Sequence, residues 1–165
     1  MQPHYRFRER WPKSSGGWRE ADRGHSRHYR CRMSGYNTNL AAEFYVLSVL
    51  HRLGAEANLT LGNKKSVDIV VVHDVGDSVT LDVKGLAGTT GWPIDNFRPK
   101  ERHFVVLVCF LGKIDDPSVI PEVYVVPAKN VESLTYNAPG GRRIIQFSRM
   151  RKEGETYRSA WKQLL

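Results

Sequence analysis

Residues 67–85, V-D-I-V-V-V-H-D-V-G-D-S-V-T-L-D-V-K-G, decide how the rest of this chain is read. Two valine-rich runs flank the turn formers Asp74, Gly76, Asp77 and Ser78, which predicts an antiparallel hairpin. A turn centred on Val75 puts Asp68 opposite Asp82, each seven residues from the centre. Side chains alternate along a strand, so Val70 and Val72 share the face of Asp68, and Lys84 shares that of Asp82. Val67, Ile69 and Val71 fill the opposite face. A strand apolar on both faces is normally covered on both, so Asp68 is expected to point into a partly buried cleft. Opposed carboxylates destabilise a sheet by up to ~1 kcal/mol, more when shielded from water. A divalent cation between them reverses that sign. The plainer alternative is the wet side of an ordinary hairpin, and a register slip of one residue would separate the aspartates altogether.

Composition bounds the rest. The chain of 165 residues is long enough for one domain with a real core and too short for two of ordinary size. Its 41% hydrophobic fraction, spread over valine-rich and leucine-rich segments, suggests a soluble α/β or α+β protein. No apolar run approaches the ~18 residues of a membrane span, and the N-terminus lacks the apolar core of a secretion signal. The expected location is therefore the cytoplasm, with no membrane partner. Cys31 and Cys109 are too far apart in sequence and context to suggest a disulfide framework or a zinc pattern.

The net charge of +8 is unevenly placed. Residues 1–33 carry nine Lys or Arg against three acids and show no helical or strand period. They read as a basic, disordered N-terminal arm, either holding nucleic-acid phosphates or forming an upstream extension without a role. Met33-Ser34-Gly35 looks like a natural chain start. His25, His28 and Cys31 have a ligand-like spacing but no fourth ligand nearby. Residues 34–165 are expected to form a single domain.

Within that domain Asn37 or Asn39 can cap a helix over residues 40–53, stopped by Gly54. Leu40, Leu47 and Leu50 form its stripe, and Glu43 falls inside it, which brings a third carboxylate toward the hairpin. A glutamate near the first turn also suits the helix dipole, though that does not explain one on the inward stripe. Residues 55–61 predict a strand and residues 62–65 a turn. Residues 85–102 are rich in Gly and Pro and too irregular for a helix. Residues 103–110 read as a buried central strand and residues 122–126 as another. Residues 131–134 suggest a helical turn. Residues 156–165 predict a closing helix with Tyr157, Trp161, Leu164 and Leu165 inward.

A helix with Glu43, then Asp68, then Asp82-Val83-Lys84 in a strand resembles the restriction-endonuclease-like, or PD-(D/E)XK, nuclease superfamily. The likeness is greatest to small stand-alone members such as Holliday-junction resolvases. The resemblance implies an α/β fold: an α-β-β-β-α-β core with a mixed central sheet. It implies Mg²⁺ or Mn²⁺ held by Glu43, Asp68, Asp82 and the carbonyl of Val83, with Lys84 assisting the attacking water. It also leaves a homodimer open, the state of many relatives. Two departures stand out: Val67 replaces the proline of the family's name, and residues 85–102 show no crossover helix.

The chemistry agrees with the resemblance. Phosphodiester hydrolysis needs a water made nucleophilic near neutral pH and relief of charge at phosphorus, both of which a hard, carboxylate-bound cation supplies. Arg98, Lys100, Arg102, Arg142 and Arg143 are candidate contacts to the backbone of nucleic acid, with DNA the expected partner. The expectation is a metal-dependent nuclease. The alternatives are a nucleic-acid-binding domain of the same fold without catalysis, and an interaction domain with no nucleic-acid partner.

Overall fold

The computed structural model describes residues 34–60, 67–73 and 76–165. The expected basic arm, the turn at residues 62–65 and the centre of the hairpin turn at Asp74 and Val75 lie outside the described residues.

Helix α1 runs Gly35–Arg52, starting five residues earlier than the sequence suggests. Ser34 is the cap: its hydroxyl accepts from the Asn37 N–H at 3.2 Å, so neither Asn37 nor Asn39 is needed for that task. The helix ends where Gly54 takes a left-handed φ of +83°. Three strands follow, β1 (Glu56–Leu59), β2 (Ile69–Val72) and β3 (Ser78–Leu86). β2 and β3 pair antiparallel with Ile69 against Leu81 and Val70 against Thr80, the register that a turn centred on Val75 requires.

The chain then makes a short strand β4 (Gly91–Pro93) and enters β5 (His103–Cys109), which lies parallel to β3. The crossover between them carries β4 rather than a helix. Strand β6 (Glu122–Pro127) returns antiparallel on the outer side of β5. The result is an α/β fold with a mixed five-stranded sheet in the order β1-β2-β3-β5-β6.

After helix α2 (Ala128–Leu134), strands β7 (Tyr136–Asn137) and β8 (Arg143–Gln146) join β4 in a second sheet of three strands. Helix α3 (Phe147–Glu153) follows. The expected closing helix is replaced by two 3₁₀ turns, Glu155–Tyr157 and Trp161–Leu164. The Ser159 N–H bonds to the Val123 carbonyl between them, so tertiary pairing interrupts helix propagation. Leu164 is buried, while Leu165, expected inward, is exposed.

Each face of the large sheet has its own core. On one face Leu81, Val83, Val106 and Val108 pack with Ile69, Val71 and the α1 residues Ala42, Val46 and Leu50. The buried stripe of α1 is thus Thr38, Ala42, Val46 and Leu50, not Leu40, Leu47 and Leu50. Small residues win there because the helix must come close to β3. A Cβ on Gly85 would lie 2.5 Å from the Thr38 carbonyl oxygen and 3.2 Å from the Ala42 Cβ. Gly85→Ala should therefore cost about 1–3 kcal/mol by overpacking, read as a lower urea midpoint with unchanged m-value.

On the other face Val105, Leu107 and Cys109 pack with Tyr124, Val126 and the small-sheet residues Trp92 and Ile145. Trp92 is fully buried, edge-on to Tyr124 and Phe147, and donates its indole N–H to the Val108 carbonyl at 3.1 Å. This aromatic junction fixes the small sheet against the large one. Asp82 and Lys84 sit at the margin of this second core, where the two sheets part.

Candidate active-site cleft

β2 begins only at Ile69, opposite Leu81, but β3 continues to Leu86, so one edge of β3 lacks a strand partner just where Val83, Lys84 and Gly85 lie. Asp68 is the last residue to pair there, its N–H donating to the Leu81 carbonyl at 2.8 Å. Its side chain extends the ladder by one step: Asp68 Oδ2 accepts from the Val83 N–H at 2.6 Å. The next N–H on that edge, of Gly85, donates to Asn39 Oδ1 of helix α1 at 3.0 Å. Side chains thus finish the edge that the short strand leaves open, which brings polar groups of β2, β3 and α1 to one place.

Asp82 is 9% exposed, and its Oδ1 accepts from Lys84 Nζ at 2.5 Å. The Asp68 carboxyl lies within electrostatic reach of that of Asp82. Burial pushes the Asp68 pKa up to about 7; the Val83 N–H opposes this, and the nearby Asp82 carboxylate reinforces it. Glu43, on the flank of α1 rather than its inward stripe, is half-buried. Its pKa is raised chiefly by that burial, within electrostatic reach of Lys84 and Asp82. No group of three or more His, Cys, Asp or Glu side chains among the described residues stands ready to hold a metal. Glu43 therefore stands beside the aspartate pair without completing a ligand triad.

Asp82 and Lys84 open into a cleft of about 560 Å³ whose lining, drawn from several elements, does not include Asp68 or Glu43. Helix α1 contributes Gly35 and Asn39, β3 contributes Asp82, Lys84 and Gly85, and the crossover contributes Phe97, Arg98 and Lys100 among others. Arg142, from the turn before β8, completes the basic wall. Of the five basic residues expected to meet a phosphate backbone, Arg98, Lys100 and Arg142 therefore line the cleft. Arg142 also reaches Asp95 at 3.4 Å. Arg102 instead bonds Asp77 at 2.9 Å and the Ser78 carbonyl, bracing the base of the hairpin. Arg143 pairs with Glu132 of α2 and gives its N–H to Asp95. These two are structural partners of the cleft rather than its lining.

Two cleft residues escape sequence reasoning. Asn39 reads as a helix cap, and its link to Gly85 spans 46 residues. His103 is hidden at the head of an apolar run; only its polarity within that run could have marked it. It is buried, bonded through Nδ1 to Thr80 Oγ1 at 2.7 Å and stacked on Phe97 at 6.2 Å. Burial holds its pKa below the usual imidazole value, against the pull of Asp82. A neutral imidazole in that position supports the wall beside Thr80.

No protein-family model matches the chain, and no curated protein matches it. Among solved structures the fold is similar to that of a bacterial homing endonuclease, I-Ssp6803I, with a TM-score of 0.50 and 21% sequence identity. The match covers 80% of this chain and 91% of that one. At this identity the likeness is one of fold. No helix among the described residues is long and apolar enough to cross a membrane.

Proposed function

We propose that this protein is a metal-dependent nuclease that hydrolyses phosphodiester bonds of DNA, built on a PD-(D/E)XK-type site. One observation carries the reading: the buried Asp82, with Lys84 bonded to it and the half-buried Asp68 beside it, lines a cleft walled by Arg98, Lys100 and Arg142. The fold shared with a homing endonuclease supports it.

The donor set suits Mg²⁺ or Mn²⁺. Two hard carboxylates forced together, one with its pKa raised to about 7, are electrostatically unfavourable until a cation lies between them. Val83 faces the same open edge as Leu81, whose carbonyl takes the Asp68 N–H, and its carbonyl would be a further ligand. Glu43 would act from the side, through water. Mg²⁺ commonly keeps several waters and needs only one or two carboxylates. When bound, the ion supplies an activated water and charge relief at phosphorus.

The chain's own residues do the rest. Lys84 is held by Asp82 at the cleft, where its ammonium can orient a water or offset charge on the phosphate. The Asp68 bond to Val83 fixes that carboxylate against the strand, so its position needs no reorganisation during the reaction. Arg98, Lys100 and Arg142 attract and position the phosphate backbone without reading sequence.

The test is nicking of supercoiled plasmid by purified protein. Cleavage is expected with Mg²⁺ or Mn²⁺ and none with EDTA. Salt-dependent DNA binding without cleavage under any divalent ion would favour a binding domain of the same fold, and absent DNA binding at low salt would defeat both.

A further inference from the structure

Asn39 has a constrained amide. The Gly85 N–H can only donate, so the atom 3.0 Å from it must be the side-chain oxygen, Oδ1. The amide nitrogen then points away from β3, and its two N–H donors have no hydrogen-bond partner among the described residues. Asn39 is exposed and lines the same cleft as Asp82, Lys84, Arg98 and Arg142. The residue that its oxygen grips, Gly85, directly follows Lys84 in β3. Being exposed and held in orientation, these donors are open to an acceptor that enters the cleft.

We propose that Asn39 is a substrate-binding residue whose side-chain N–H groups donate to a non-bridging oxygen of the phosphodiester beside Lys84. This rests on the nuclease reading for the identity of the substrate. The hydrogen bond to Gly85 sets the orientation of the amide before substrate arrives, so little side-chain freedom is lost on binding. An amide also holds a phosphate without adding charge next to the carboxylate pair, which an arginine there would neutralise through ion pairing. Loss of one hydrogen bond to a charged phosphate is expected to reduce cleavage roughly 10- to 100-fold.

Two substitutions separate a donor from a merely structural residue. Asn39→Asp keeps an acceptor for the Gly85 N–H but has no donor, whereas Asn39→Leu has neither and no charge. Plasmid nicking with Mg²⁺, binding of a fluorescein-labelled DNA oligonucleotide with Ca²⁺, and thermal melting are measured for both. If the donors hold phosphate, both variants lose the 10- to 100-fold in cleavage, while only Asn39→Leu melts lower. Asn39→Asp with wild-type cleavage would show that the residue merely caps the strand edge, overturning the proposal. Asn39→Leu with wild-type cleavage would show a charge effect in the other variant and overturn it equally. A wild type that never cleaves defeats the nuclease reading instead. DNA affinity then decides: weakening in both variants keeps Asn39 as a phosphate donor, and unchanged affinity removes it.

Discussion

Asp82→Ala is expected to lower metal-dependent DNA cleavage by roughly 10²- to 10³-fold, the scale seen when a preorganised electrostatic group is removed from an active site. Asp82 is the hub of the cleft: it is bonded to Lys84 at 2.5 Å, lies within electrostatic reach of the Asp68 carboxyl, and is almost fully buried. Alanine removes one of the two carboxylates between which a cation would sit and releases the Lys84 ammonium from its fixed position. Both effects act on the chemical step. Folding should survive, because the change removes one of two crowded acids and leaves the strand's backbone pairing intact. The melting temperature is therefore expected to remain near wild type, and calorimetry should show Mn²⁺ affinity lost. Equal residual cleavage in wild type and variant would mean that the activity comes from a contaminant or another site.

Asp68→Asn should pull function and stability in opposite directions. Asparagine keeps an acceptor for the Val83 N–H and gains an N–H₂ that can donate to Asp82, so the edge of β3 stays closed. It removes a ligand charge, and cleavage should again fall by roughly 10²- to 10³-fold. The metal-free protein, however, should become more stable at neutral pH. Asp68 has its folded pKa raised from 3.8 to about 7, first by burial and then by Asp82. A raised acid binds more protons folded than unfolded, so wild-type stability falls as pH climbs from about 4 through about 7. The partial solvent exposure of the group reduces the effect, leaving about 1–2 kcal/mol. In EDTA the variant should thus melt together with wild type near pH 4 and above it at pH 8. Mg²⁺ should narrow the gap by stabilising only the wild type. A variant that melts below wild type at pH 8 in EDTA would show that the paired carboxyls are not under electrostatic strain.

Local physics made the hairpin legible in sequence. A period of two and a turn rich in Asp, Gly and Ser fixed which side chains share a face, and the pairing of Ile69 with Leu81 follows that register. The buried strand His103–Cys109 was equally plain, since a run of apolar residues has only one place to go. The order of Glu43, Asp68, Asp82 and Lys84 could be read because each carries an ionisable group in an apolar setting. How far they converge could not. Tertiary packing holds Asp68, Asp82 and Lys84 in contact and leaves Glu43 on a flank, because the helix turns its small residues, Thr38 and Ala42, toward Gly85. The same non-local contact decides which donors Asn39 presents.

The basic residues divide for a similar reason. Sequence marks Arg98, Lys100, Arg102, Arg142 and Arg143 alike, but Arg102 and Arg143 meet acids, Asp77 and Glu132, that only folding brings near. The second sheet was invisible because its strands are two to four residues long and β4 lies far in the chain from β7 and β8. They are anchored through Trp92 of β4, which is buried against Tyr124 of the large sheet and Phe147 of α3. Alternation and turn chemistry act over a few residues and are written in the chain by itself. The depth of burial, the choice of ion-pair partner and the walls of the cleft arise between residues tens of positions apart, so only the tertiary structure could decide them.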